Sequence, residues 1–124
     1  MVFGVMEEWM VEELRAQAAA KREAGDERGE MWWSCVLGHV LYRQGKHKEA
    51  VEVQERTHVI SRRVLSEDDE SQGVYMSALA ATYSALGRHE DALAMQESVL
   101  EFLRRVLPPN HPHIGTSKIG RAHV

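Results

Sequence analysis

The chain has 124 residues, of which 44% are hydrophobic and 27% are charged, and its formal net charge is −4. This mixture is typical of a globular domain, and the net charge gives no general attraction to nucleic acid or to an anionic membrane. Cys35 is the single cysteine, so a disulfide within the chain is excluded and a reducing, cytoplasmic location is expected. No stretch is apolar over the roughly 20 residues that a membrane-spanning helix needs.

The first predicted element is a helix over residues 4–24. Its apolar side is formed by Val5, Met6, Trp9, Met10 and Leu14, and a glycine-containing segment at residues 25–29 ends it. We expect residues 1–25 to be an N-terminal helix that either caps the rest of the chain or is the second helix of an earlier, degenerate copy of the unit that follows.

The rest of the chain contains one unit twice, at an offset of 42 residues, the distance from Gly45 to Gly87. Residues 45–65 read GKHKEAVEVQERTHVISRRVL, and residues 87–107 read GRHEDALAMQESVLEFLRRVL. In each copy, two segments of helical periodicity flank a glycine that suits a left-handed helix end. The sequence therefore predicts unit 1 at residues 26–68, unit 2 at residues 69–110 and the start of a third unit at residues 111–117.

Each unit reads as helix, tight turn and helix, and nothing alternates with the period of two that predicts a strand. Pro108 and Pro109 end the last helix of unit 2. A helix pair of this kind cannot bury its apolar stripe alone and must stack on its neighbours. The predicted fold class is all-α: a right-handed α-solenoid of antiparallel helix pairs, with about two full repeats plus the N-terminal helix.

The repeated positions resemble the signature of the tetratricopeptide repeat. They are Leu37, Gly38, Gly45 and Ala50 in unit 1, and Leu79, Ala80, Tyr83, Gly87 and Ala92 in unit 2. The usual repeat has 34 residues, and the longer unit here is similar to the long subtype of kinesin light chains and of the sensor arrays behind nucleotide-binding immune-type ATPases. The segment LPPNHP at residues 107–112 resembles the connector of that subtype.

The resemblance implies a protein–protein interaction scaffold that binds a peptide or a helix of a partner protein on the concave face formed by the first helices. It implies no enzymatic activity, cofactor or small-molecule substrate. The family's groove positions correspond to Trp32, Cys35, His39, Tyr42 and Arg43 in unit 1, and to Val74, Ser77, Ala81, Ser84 and Ala85 in unit 2. Aromatic and cationic side chains anchor peptides well, so we expect most of the binding strength in unit 1. The alternative for Trp32 is packing beneath the N-terminal helix.

Two further functions stay open. The first is that the array is a repeat or sensor segment of a larger signalling ATPase or of a kinesin-light-chain-like cargo adaptor. The second is that it is a nucleic-acid-binding helical repeat. The second would use the basic ridge, defined as Arg62, Arg63, Arg104 and Arg105, which recur at one phase of the second helices. We do not expect nucleic-acid binding, because a solvated face balanced by Glu67 and Glu101 also explains these arginines.

Histidines and the cysteine invite metal or catalytic interpretations. His111 and His113 are the densest histidine pair, yet no Cys/His quartet with zinc spacing exists, so no metal site is predicted. Cys35 and His39 are four residues apart on one helix, but no third group is evident to orient the histidine as a base. His47 and His89 begin equivalent second helices and are expected to pack between repeats.

The last residues depart from the repeat. Ile119 to Val124 reads as the translation of a sequencing adapter, ATC GGA AGA GCA CAC GTC, followed by a stop codon. We expect a truncated transcript in which residues 118–124 are not native, and the alternative is a natural, frayed terminus. Truncation would leave the stripe of Val99, Leu103 and Val106 partly uncovered.

Overall fold

The computed structural model describes residues 2–107, with side chains from residue 8 onward. Its five helices are α1 (Val2–Glu23), α2 (Glu27–Arg43), α3 (His47–Val64), α4 (Glu70–Ala85) and α5 (His89–Val106). Residues 2–107 contain no strand, and successive helices pack on one another, so the predicted all-α solenoid of helix pairs is confirmed. The expected third-unit start at 111–117, the tail at 118–124 and the histidines of residues 111–113 lie outside the described residues, as do the side chains of Val5 and Met6.

Glycine turns join the two helices of each unit. Gly45, between α2 and α3, and Gly87, between α4 and α5, have φ angles of +79° and +77°. An L side chain in this left-handed region costs roughly 1–2 kcal/mol, which explains the choice of glycine. The backbone closes each turn in the same way: the N–H of Gly45 donates to the carbonyl of Tyr42 at 3.0 Å, and that of Gly87 donates to Ser84 at 3.1 Å.

The connections that precede α2 and α4 differ from each other. Gly25, with φ +74°, gives α1 and α2 a third glycine turn. By contrast, the chain leaves α3 in an extended conformation at Leu65, and Asp69 caps α4 by accepting a hydrogen bond from the N–H of Ser71. Both α2 and α4 nevertheless have an aspartate as their N-cap, because Asp26 caps α2 by accepting a hydrogen bond from the N–H of Gly29.

The N-terminal helix lies on unit 1 much as unit 1 lies on unit 2. α1 packs along α2, and one cleft is shared by α1, α2 and α3. The corresponding cleft of the next junction is shared by α3, α4 and α5. α1 therefore takes the place of a preceding second helix, which favours the degenerate-repeat interpretation of residues 1–25, whereas the glycine turn at Gly25 is of the kind found inside a unit. That interpretation stays a prediction.

Two apolar clusters form the core. The first is Val11, Leu14, Leu37, Leu41 and Ala50, and the second is Val51, Leu79, Tyr83 and Ala92. Large signature residues thus lie inside, and the small ones allow helices to approach. At Gly38, a Cβ atom would stand 2.9 Å from Cγ of Gln54, so a larger residue there would force the Gln54 side chain to move.

A buried carboxylate lies at the first junction, between α1, α2 and α3. Glu30 is only 1% exposed, and it accepts hydrogen bonds from Arg22 of α1 at 2.9 Å and from Arg56 of α3 at 3.0 and 3.2 Å. Burial alone would raise the pKa of Glu30, but the hydrogen bonds from Arg56 and Arg22 outweigh that effect and lower it. The side chain is therefore an ion that ties three helices together.

The second junction, between α3, α4 and α5, has an amide at the equivalent position. Gln72 is buried, accepts a hydrogen bond from the hydroxyl of Ser61 at 3.0 Å and donates to the carbonyl of Ser61 at 2.9 Å. No charged side chain contributes to these bonds. The same place in the repeat is thus satisfied by neutral partners in unit 2 and by arginines in unit 1.

Candidate interaction cleft

A cleft of about 210 Å³ opens between the first helices of the two units, α2 and α4. It is lined by Cys35, His39, Tyr42, Gln54, Thr57, Val74, Tyr75, Ala78 and Ala81. None of these lining residues is an aspartate, glutamate, lysine or arginine. Three helices form the cleft: α2 and α4 provide the walls and α3 provides the remaining lining. The result is a largely apolar surface to which both units contribute.

The residues from α3 are held in place by internal hydrogen bonds. The amide oxygen of Gln54 accepts a hydrogen bond from the hydroxyl of Thr82, and the hydroxyl of Thr57 donates to the carbonyl of Val53 at 3.0 Å. Gln54 also packs against Gly38 of α2. This part of the cleft is therefore preformed, because the Gln54 amide oxygen and the Thr57 hydroxyl already make hydrogen bonds within the protein.

Two ionisable residues of the cleft, Cys35 and Tyr75, are kept in their neutral forms by burial. Burial raises the pKa of the Cys35 thiol, and burial also raises the pKa of Tyr75. Cys35 and His39 do share the cleft, yet a raised thiol pKa disfavours the thiolate that nucleophilic catalysis requires. The chemistry of this surface thus suits the binding of apolar groups.

The structure brings together five of the ten predicted groove residues: Cys35, His39, Tyr42, Val74 and Ala81. Arg43, Ser77, Ser84 and Ala85 are exposed on α2 and α4 but do not line the cleft. Sequence reasoning missed Tyr75, Ala78, Gln54 and Thr57. Ala78 could have been found, because it lies four residues after Val74 and three before Ala81 on one helical face.

The two tryptophans of α2 have different environments. Trp32 is 58% exposed and stands edge-on to Trp33, with 4.9 Å between the ring centroids. Trp33 instead packs on the first core cluster. The alternative that Trp32 packs beneath the N-terminal helix is therefore wrong, and Trp32 also lies outside the cleft lining.

The basic ridge is partly neutralised within the protein. Arg63 forms an ion pair with Glu27 at 2.5 Å, and Arg105 forms one with Asp68 at 2.9 Å. Arg63 is thereby joined to the start of its own unit, and Arg105 to the residue directly before its own unit. The balancing carboxylates are thus Glu27 and Asp68 rather than the expected Glu67 and Glu101, because the last turn of each second helix lies beside the chain entering the first helix.

The two histidines at equivalent positions do not behave alike. His47 is half-buried and lies against Tyr42 of its own unit, with 5.0 Å between the ring centroids. His89 is exposed, so the expectation that it packs between repeats is wrong. The reason is local: Ser84 stands in unit 2 where Tyr42 stands in unit 1, and it offers no ring to pack against.

Two further properties of the described residues concern other classes of function. Among the side chains that the structure describes, no group of three or more histidine, cysteine, aspartate or glutamate residues is placed to hold a metal ion. Within the same part of the chain, no helix combines the length and the apolar character needed to cross a membrane.

A family model described as tetratricopeptide repeat matches residues 27–105, from the start of α2 to near the end of α5. No curated protein and no solved structure matches the chain significantly. The matched region covers most of the chain and both helix pairs, and it leaves α1 outside.

Proposed function

Because this chain belongs to the tetratricopeptide repeat family, whose repeats serve as protein-interaction scaffolds, we propose that the cleft between α2 and α4 binds a peptide or a helix of a partner protein. The observation that carries the proposal is the uncharged lining that the first helices of both units build together. Such a surface favours an apolar anchor side chain over an acidic or basic motif.

The size of the cleft supports a peptide anchor rather than a small-molecule ligand. Its volume of about 210 Å³ lies below the roughly 300–1,000 Å³ that is usual for small-molecule sites. Tyr42 and Tyr75 supply aromatic walls, a residue type that often carries binding energy at protein interfaces. We therefore propose that one or two apolar side chains of the partner enter between α2 and α4, with flanking residues reaching exposed groups such as Trp32 and Arg43.

A charge placed in the cleft tests the proposal. Peptides selected from a random library on the wild-type protein serve as probes, and their dissociation constants are measured by fluorescence anisotropy. Ala81→Arg fills the cleft with a cation and is expected to weaken binding by about tenfold or more. Ala85→Arg adds the same group to an exposed site on the same helix outside the lining, and it is expected to change little. Equal binding to both variants would overturn the proposal.

The finer family assignments need other observations. A sensor segment of a larger signalling ATPase predicts a nucleotide-binding domain in the complete reading frame, and a kinesin-light-chain-like adaptor predicts a heptad coiled coil there. The cytoplasmic location and the absence of enzymatic activity likewise stay predictions. Nucleic-acid binding has little support, because Arg63 and Arg105 already have carboxylate partners.

A further inference from the structure

A buried amide at the floor of the cleft has hydrogen-bond donors without a partner. Gln54 is 7% exposed, and its side chain reaches from α3 to line the cleft between α2 and α4. Its amide oxygen accepts a hydrogen bond from the hydroxyl of Thr82. Its amide nitrogen carries two N–H donors, and within residues 8–107 it donates to no other residue, although it stays accessible from the cleft. Buried amides normally have such partners, so these donors suit a group that enters the cleft.

A hydrogen-bond acceptor lies beside these donors. Thr57 is three residues after Gln54 on α3, so the two side chains lie on one face of that helix, and both line the cleft. Thr57 is buried, and its hydroxyl donates its hydrogen to the carbonyl of Val53 at 3.0 Å. A hydroxyl oxygen that donates can still accept, and within residues 8–107 this oxygen accepts from no other residue. The floor therefore offers a donor and an acceptor side by side.

The polar floor departs from the general pattern of the repeat. That pattern has an alanine followed four residues later by a phenylalanine, whereas here Ala50 is followed four residues later by Gln54. A phenylalanine would present no hydrogen-bonding group to the cleft. Gln96 is the counterpart in unit 2, but it is exposed on α5 and lies outside the cleft lining. The buried, partly unbonded amide is therefore specific to this position of unit 1.

The lining selects the chemistry of the group that reaches this floor. No aspartate, glutamate, lysine or arginine lines the cleft, so a charged group would lose its hydration there without gaining an ion partner. An apolar group placed over Gln54 would leave the N–H donors of the amide buried without an acceptor. A carboxamide avoids both losses, because its oxygen can accept from Gln54 while its N–H donates to Thr57.

We propose that a glutamine or asparagine side chain of the partner enters the cleft beside the apolar anchor, and that its carboxamide forms hydrogen bonds with Gln54 and Thr57. The inference rests on the function proposed above and adds a polar contact to it. A side chain makes this contact rather than the partner's main chain, because Gln54 belongs to α3, behind the two helices that form the walls. Tyr42 and Tyr75, which also line the cleft, pack against its methylene groups.

Changes in the peptide test the carboxamide directly. Peptides are selected from a random library on the wild-type protein, and those whose binding Ala81→Arg weakens are kept, because they occupy the cleft. We expect them to contain a glutamine or an asparagine. Replacing that glutamine by methionine, or that asparagine by leucine, keeps the size but removes the carboxamide, and it is expected to weaken binding about tenfold in fluorescence anisotropy. Replacement by glutamate or aspartate is expected to weaken binding at least as much, because the lining has no cation to pair with it.

Changes in the protein locate the contact at Gln54. Gln54→Met removes the amide at nearly constant size, and the hydroxyl of Thr82 keeps a partner because it also lies 3.0 Å from the carbonyl of Ala78. Gln96→Met makes the same substitution at the exposed, equivalent position of α5. Gln54→Met is expected to weaken the carboxamide peptides about tenfold and to leave their methionine or leucine analogues unchanged. Gln96→Met is expected to change neither. Equal weakening of both kinds of peptide by Gln54→Met would indicate a purely structural role and would overturn the inference.

The two proposals for the cleft fail in different ways. Cleft-binding peptides that contain no carboxamide, or whose carboxamide can be removed with a change of less than about twofold, would overturn this inference and leave the proposed function intact. If Ala81→Arg weakens none of the selected peptides, the proposed function fails and this inference fails with it. If circular dichroism shows that Gln54→Met does not fold, the peptide replacements on the wild-type protein decide the outcome.

Discussion

The two junctions of the molecule place different chemistry at one repeated position. Glu30 of α2 and Gln72 of α4 are equivalent and both are buried, yet the first is an ion held by Arg22 and Arg56 and the second is an amide held by Ser61. A buried place in the repeat thus accepts a charge or a neutral group, provided that neighbouring helices supply its partners. The repeat determines which positions are buried, and the neighbouring helices at each junction determine which hydrogen-bond partners the buried polar side chain has.

Removing the two side chains should separate the junctions most clearly. Glu30→Ala is expected to lower the free energy of unfolding by about 3 kcal/mol, because it removes the charge-assisted hydrogen bonds that the buried carboxylate accepts from Arg22 and Arg56. Gln72→Ala removes only neutral hydrogen bonds and is expected to cost about 1–2 kcal/mol. Urea denaturation followed by circular dichroism measures both. A larger loss for Gln72→Ala would contradict the distinction drawn between the junctions.

Acid should act mainly on the first junction, as the next largest effect. The pKa of Glu30 is lowered in the folded protein, so its stabilising contribution is fully present above the unfolded-state pKa of about 4.3 and is lost as the pH falls through the lower folded-state value. The free energy of unfolding of the wild type should therefore drop over that acidic range. Glu30→Gln should flatten this part of the profile, while Gln72→Ala should leave its slope unchanged. Identical profiles for all three proteins would exclude this role.

The turns are expected to respond equally, in contrast to the junctions. Gly45→Ala and Gly87→Ala each place a Cβ in the left-handed region and should each cost roughly 1–2 kcal/mol. Neither added Cβ would meet another atom within 4 Å, so only the backbone conformation contributes. Thermal and urea unfolding of the two variants should agree within error. Unequal losses would mean that the junctions influence the turns.

The smallest effects are expected for the ion pairs that close each unit. Arg63→Gln and Arg105→Gln should each lower stability by less than about 1 kcal/mol, because both pairs are largely exposed. Raising the salt concentration should reduce these differences further, because it screens surface charges. Losses well above that size, persisting in high salt, would show that the pairs do more than fasten helix ends.

The helix pairs could be predicted from the sequence, because the turn between the two helices depends on local backbone conformation and occurs in both copies. Gly45 and Gly87 mark the turns, since the left-handed conformation is needed at the same place in both copies. The family match to residues 27–105 agrees with that reading of the offset. What a single helix presents to its neighbours can thus be inferred from its own periodicity.

The polar interior could not be inferred in this way. Glu30 is bonded to Arg22 and Arg56, which are 8 and 26 residues away on other helices, so no local sequence pattern predicts that Glu30 is buried. The cleft shows the same limit: Ala78 shares a helical face with predicted residues, whereas Gln54 and Thr57 reach it from α3, and the family resemblance places groove residues only on the first helices. Contributions from a third helix depend on how the helices assemble.

The carboxylate of Glu30 also determines where the chain can be cut. Arg22 belongs to α1, while Glu30 and Arg56 belong to the matched region. A recombinant fragment beginning at residue 26 would discard one guanidinium and strip Val11 and Leu14 from the first apolar cluster. The smallest self-sufficient piece should therefore include α1, although family resemblance alone would place its boundary one helix later.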